Sequence, residues 1–119
     1  MKKILIAEDD DTNYLILFKF LDKLKKYELV RAENGDVTLE KLSKDNYDCL
    51  LLDMKMPFKN GLEITKLLRS QNNNILIIAV TASAMFGEKE IAITAGVNHY
   101  FTKPVEYDKL INLIQKLLD

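Results

Sequence analysis

Apolar residues recur along the chain in two alternating patterns, short unbroken runs and wider stripes at three- and four-residue spacing. Ile4 to Ala7 is a run that stops at Glu8, Asp9, Asp10 and Asp11. It predicts a buried strand that delivers carboxylates at its carboxyl end. Tyr14, Leu15, Leu17, Phe18, Leu21 and Leu24 then mark an amphipathic helix ending near Lys25 and Lys26, where lysines suit the negative end of the helix dipole. Leu29 to Ala32 is a second, brief strand. The Asn34-Gly35 pair turns the chain into a helix marked by Val37, Leu39 and Leu42.

The third run, Cys49 to Leu52, closes on Asp53, so a second buried strand ends in an acid. Pro57 and Gly61 punctuate the following loop, and Leu62, Ile64, Leu67 and Leu68 mark a third helix. Ile75 to Val80 is the longest β-rich run and ends at Thr81. A fourth helix is expected over 84–94, with Gly87 weakening its first turns and a poor apolar stripe. Gly96 separates it from a strand over Val97 to Thr102, which leads into Lys103-Pro104. Tyr107, Leu110, Ile111, Ile114 and Leu117 predict the last helix.

Five strand-helix repeats follow one another with no linker or low-complexity tract. Continuous rather than alternating strand hydrophobicity points to a parallel sheet covered on both faces, an open doubly wound α/β sandwich. A closed eight-stranded barrel needs about 250 residues, and this chain has 119. The whole length, 1–119, is therefore expected to form one domain without room for an effector.

Composition narrows the chemistry. There are 17 Lys plus Arg against 18 Asp plus Glu, a net charge of −1. That gives no general reason for nucleic-acid binding. Cys49 is the only cysteine, which excludes a disulfide framework and a multi-cysteine zinc site and suits a reducing, cytoplasmic setting. No apolar run approaches the roughly 18 residues of a membrane span.

The near-neutral total conceals where the charges sit. In an open parallel sheet, ligands bind beyond the carboxyl ends of the strands. Here Glu8 and Asp9 leave the first strand, Asp53 the third, Thr81 the fourth, and Lys103 follows the fifth. Carboxylates brought together repel, and a hard divalent cation would relieve that repulsion. Few oxygen ligands suit Mg²⁺, whereas zinc would want nitrogen or sulfur, and no twelve-residue calcium loop is visible. Taken singly, each residue also has an ordinary structural use. Asp11 is expected to cap the first helix, Pro104 either starts the last helix or carries a cis bond, Gly61 and Gly96 suit turns or helix ends, and His99 reads as a surface or loop residue.

From Ile4-Leu5-Ile6-Ala7-Glu8-Asp9 through Asp53-Met54-Lys55-Met56-Pro57 and Gly61 to Thr81-Ala82 and Lys103-Pro104, the chain resembles the receiver domain of bacterial two-component response regulators. The match covers essentially all of it. The resemblance implies a flavodoxin-like five-stranded parallel sheet in the order 2-1-3-4-5. It implies that Asp53 accepts a phosphoryl group from a histidine kinase or histidine phosphotransfer protein. It assigns Mg²⁺ binding to Asp9 and Asp53 directly, to Glu8 mainly through water and to the backbone carbonyl of Lys55. Lys103 would pair with Asp53 and then with the phosphoryl oxygens, Thr81 would donate its hydroxyl to them, and Tyr100 would be the aromatic switch. Lys55 and Ser83 fall where the family tunes phosphoryl lifetime.

Such a domain carries out Mg²⁺-dependent self-phosphorylation and self-dephosphorylation rather than conventional turnover. Its expected output is a changed partner surface on helix 4, strand 5 and helix 5, in a monomer or weak dimer, acting on a downstream effector or a fused domain. The segment Thr81 to Met85 and the loop Met56 to Gly61 look more like receivers of hybrid kinases. Two other readings stand beside this one: a receiver-like binding module that is never phosphorylated, and a small haloacid-type phosphatase with an aspartate nucleophile. The second usually has another aspartate two residues after the nucleophile, where this chain has Lys55.

Overall fold

The protein is described by a computed structural model over residues 1–82 and 86–119. Its elements are β1 (Lys2–Ala7), α1 (Asp11–Asp22), β2 (Tyr27–Ala32), α2 (Gly35–Lys44), β3 (Cys49–Leu52), α3 (Gly61–Ser70), β4 (Leu76–Thr81), α4 (Glu88–Ala95), β5 (His99–Thr102) and α5 (Tyr107–Leu118). The strands form one sheet in the order β2-β1-β3-β4-β5 with every pair parallel. The expected doubly wound architecture and strand order are both present.

Successive strand residues point to opposite faces, so each apolar run feeds two cores. Ile4, Ile6, Cys49, Leu51, Ile78 and Val80 pack under Leu17 and Leu21 of α1 and Leu110, Ile111 and Ile114 of α5. Leu5, Ala7, Leu50, Leu52, Ile77 and Ala79 pack under Ile64 and Leu68 of α3 and Ala92 of α4. Register matches the run ends: Ala7 lies beside Leu52 and Leu52 beside Ala79. The residues after these positions therefore emerge together at one edge.

Several boundaries differ from the sequence reading. α1 begins at Asp11, and the capping side chain is that of Asp10, which accepts from the Asn13 N–H at 2.8 Å. Asp11 is thus the first helical residue and not the cap. α2 is capped by Asn34 and α3 by a reciprocal Asn60–Glu63 capping box. The helix expected over 84–94 starts at Glu88, because Phe86 and Gly87 form a turn; Gly87 has φ +86°, a left-handed conformation that favours glycine. Residues 83–85, including Ser83, Ala84 and Met85, lie outside the described residues. Pro104 precedes α5 rather than starting it, and the Lys103–Pro104 peptide is cis. His99 is the first residue of β5 and half-buried, not a loop residue.

Arg69 ties the amino-terminal end of β4 to the two helices beside it. Its guanidinium donates to the Gly96 carbonyl at 2.7 and 3.1 Å, to the carbonyls of Asn73 and Ile75 at 2.8 and 2.9 Å, and to Asn98 Oδ1 at 3.0 Å. Gly96 has φ +125°, and a Cβ there would stand 2.6 Å from the Arg69 side chain. The site thus needs both a glycine and a planar multidentate donor. Replacing Arg69 by alanine leaves several partly buried carbonyls without a donor, each costing on the order of 1 kcal/mol. We expect Arg69→Ala to lower unfolding free energy by about 2–3 kcal/mol in urea titrations, with Arg69→Lys recovering only part. A loss below about 0.5 kcal/mol, the ordinary size for a surface change, would contradict this role.

Candidate functional site

Sheet bonding continues one residue past the strand ends and fixes where the polar side chains begin. The Glu8 N–H donates to the Ala32 carbonyl at 3.0 Å, the Asp53 N–H to the Ala7 carbonyl at 3.0 Å, and the Lys103 N–H to the Thr81 carbonyl at 2.8 Å. Each of these residues is held by the strand beside it. Gly61 closes the loop below: its N–H donates to the Met54 carbonyl at 3.2 Å, and a Cβ on it would come within 2.7 Å of the Met54 backbone. Only a glycine lets α3 start that close to the end of β3.

Glu8, Asp9 and Asp53 each offer a carboxylate oxygen within 4.8 Å of the others. Glu8 and Asp53 are buried and Asp9 is exposed. Lys103 Nζ lies 2.8 Å from Glu8 Oε1 and 3.5 Å from Asp53 Oδ2. Its closer partner is therefore Glu8, where the resemblance emphasised Asp53. The other Asp53 oxygen, Oδ1, accepts from the Lys55 N–H at 2.9 Å, and Glu8 Oε2 accepts from the Asp10 N–H at 3.2 Å.

These contacts set the proton affinities. Burial pushes the Glu8 carboxyl up to about 7, aided by its hydrogen bond and charge repulsion with Asp53 and opposed by Lys103 and the Asp10 N–H. Burial also works to lower Lys103, but the Glu8 hydrogen bond and the neighbouring negative charges outweigh it and hold the ammonium above its ordinary value. Among the described residues, one ammonium, that of Lys103, pairs with two of the three acids. A cluster of this donor type fits a divalent metal, since it offers oxygen ligands that gain from added positive charge.

The remaining expected residues lie on β4, on β5 and in the loop after β3. Thr81 closes β4 and is fully buried. Tyr100 lies in β5 beside Ala79 and lines a groove of about 520 Å³ with Met54, Met56, Ile91 and Ala92. Lys55 and Glu88 also border that groove, their side chains 3.4 Å apart, so the Lys55 ammonium is directed at α4 while its backbone serves Asp53. Arg31 of β2, inside the strand expected over Leu29 to Ala32, contacts the loop carrying Glu8 and Asp9. Its only sequence signal is a charge inside an apolar run.

Comparisons agree with this geometry. The family model described as response regulator receiver domain matches residues 4–115. Sensor protein EvgS of Escherichia coli is 38% identical over 114 residues, which cover 96% of this chain and 9% of EvgS. The chain thus spans less than a tenth of that relative. The polar-differentiation response regulator DivK of Brucella anthropi is 34% identical over 119 residues, covering 98% of this chain and 96% of DivK. Among solved structures, the receiver domain of sensor histidine kinase PA1611 from Pseudomonas aeruginosa, with magnesium ion coordinated in its active site cleft, superimposes with a TM-score of 0.87 at 30% identity. It covers 98% of this chain and 96% of that one. With the sheet order, the acid edge and a model running from β1 into α5 all in agreement, this chain belongs to the response regulator receiver domain family.

Proposed function

We propose that Asp53 accepts a phosphoryl group from the phosphohistidine of a histidine kinase or histidine phosphotransfer protein, and that the modified edge changes a partner-binding surface. The observation that carries this reading is the convergence of Glu8, Asp9 and Asp53 within 4.8 Å beside Lys103. Glu8, Asp9 and Asp53, with the Lys55 backbone carbonyl, would hold Mg²⁺, which when bound supplies positive charge against the phosphoryl oxygens. The magnesium in the PA1611 receiver cleft supports that choice of metal.

Five residues of the chain divide the work. The Lys55 N–H holds Asp53 Oδ1, which orients the carboxylate for in-line attack. A P–O bond forms to Asp53 as the P–N bond of the donor breaks, and the imidazole leaves with the electron pair. Lys103, already between Glu8 and Asp53, turns to the phosphoryl oxygens. Thr81 donates its hydroxyl to one of them, and the Tyr100 ring follows toward the interior, reshaping the face of α4, β5 and α5. Water reverses the modification by attack at phosphorus.

We read residues 1–119 as one receiver unit, working in the cytoplasm as a monomer or weak dimer, with output through a partner or an attached domain. The likeness both to part of a sensor kinase and to nearly all of DivK supports either context. Among the described residues no helix is long and apolar enough to cross a membrane.

Incubation with Mg²⁺ and acetyl phosphate should raise the mass by one phosphoryl group, and Asp53→Asn should abolish the increase. An unchanged mass would favour the unphosphorylated binding module, and equal labelling of the Asn variant would put the phosphoryl group on another residue.

Metal affinity should also follow pH. Below about 7 the Glu8 carboxyl holds its proton and cannot add negative charge to the site, while above 7 it is ionised. Mg²⁺ titrations by calorimetry should therefore show affinity rising about tenfold from about pH 6 to 8, and Glu8→Gln should flatten that rise. A flat wild-type profile would exclude Glu8 as the titrating group.

A further inference from the structure

Arg31 is the penultimate residue of β2, and its side chain crosses to the loop between β1 and α1. Nε and Nη2 both donate to the Glu8 carbonyl, at 3.2 and 3.1 Å, and Nη2 also reaches the Asp9 carbonyl at 3.4 Å. The guanidinium is itself fixed: Nη2 lies 2.9 Å from Asp11 Oδ1, and its carbon sits 4.5 Å from the centre of the Tyr14 ring. Regular pairing of β1 with β2 ends at Ala7 and Ala32. Beyond that point Glu8 is gripped from β2 at both its backbone polar groups, by the Ala32 carbonyl on its N–H and by Arg31 on its carbonyl.

We propose that Arg31 is a positioning residue for the cation site: its fork fixes the backbone of Glu8 and Asp9 so that their carboxylates converge on Asp53. This rests on the reading that those acids hold a divalent cation. Arg31 uses backbone carbonyls, leaving the Glu8 and Asp9 carboxylates for the metal. By pairing with Asp11 it also occupies a further carboxylate of the same loop. A planar fork with two parallel N–H groups suits one carbonyl oxygen in a way a single ammonium does not.

The sign of the effect separates positioning from charge. A guanidinium near a cation site repels the cation, so if Arg31 acted only through its charge, removing it would tighten metal binding. If it positions the loop, removing it weakens binding. If it serves stability alone, the melting temperature falls and the affinity of the folded protein stays as it was.

The test is Mg²⁺ titration of wild type, Arg31→Met and Arg31→Lys, followed by amide chemical shifts that also report the fold, together with metal-free melting temperatures. We expect both variants to stay folded and bind Mg²⁺ about tenfold more weakly, the size typical of lost support behind metal ligands. Unchanged or tighter binding in Arg31→Met would overturn the proposal, and full wild-type affinity in Arg31→Lys would overturn the role of the fork. If the Met variant does not fold, the Lys variant decides alone. Wild-type protein that binds no Mg²⁺ would instead refute the cation-site reading on which the proposal stands.

Discussion

Like-charge crowding at the carboxyl edge of the sheet is the constraint around which this domain is built. Glu8, Asp9 and Asp53 approach within 4.8 Å, two of them buried, and among the described residues Lys103 is the cation paired with Glu8 and Asp53. Such repulsion grows as water is excluded. Burial and the charge of Asp53 together push the Glu8 carboxyl up to about 7, and a cluster of this donor type fits a divalent cation. The sheet holds Glu8 and Asp53 together. β1 and β3 are neighbours with Ala7 beside Leu52, and their apolar runs are fully buried on both faces, so the next residues must emerge side by side. Stability in the strands fixes reactivity at their ends.

The same arrangement links the edge to a distant surface. Lys103 follows β5, the strand that carries Tyr100, and its N–H is bonded to the Thr81 carbonyl. Any force on the Lys103 ammonium therefore acts beside both residues. Tyr100 borders a groove whose other wall is α4, where Ile91 and Ile93 are exposed. Lys55 joins the centre to that wall from the other side, its N–H on Asp53 and its ammonium near Glu88. Asp53 and α4 are thus joined by two short contacts of one residue, Lys55.

Most of this was legible in the residue order, for a physical reason. A strand buried on both faces is an unbroken apolar run, so its end is sharp, and Asp53 after Leu52 needed no tertiary information. Glu8, Asp9 and Thr81 were legible in the same way, whereas Lys103 follows a half-buried edge strand and was legible from its place before Pro104. α4 was not, because its stripe is weak, two of its isoleucines face solvent, and Gly87 turns the chain before Glu88. Asp10 and Asp11 are equivalent as letters, and only backbone geometry makes the first the cap and the second a partner of Arg31. The choice of Lys103 for Glu8 over Asp53 is a matter of 2.8 against 3.5 Å, below what spacing encodes. Arg31 was least visible, since its targets are backbone carbonyls and these have no letter.

A crystal structure grown with Mg²⁺ and beryllofluoride, a tetrahedral mimic of the phosphoryl group, would show whether the acid cluster holds a metal while Asp53 carries the modification. The expected result is beryllium bonded to an Asp53 carboxylate oxygen, a metal ion held by Asp9 and Asp53, and fluorides contacted by Lys103 Nζ and the Thr81 hydroxyl. Beryllofluoride bound at another residue, or an acid cluster that takes up neither ion at saturating concentration, would contradict it.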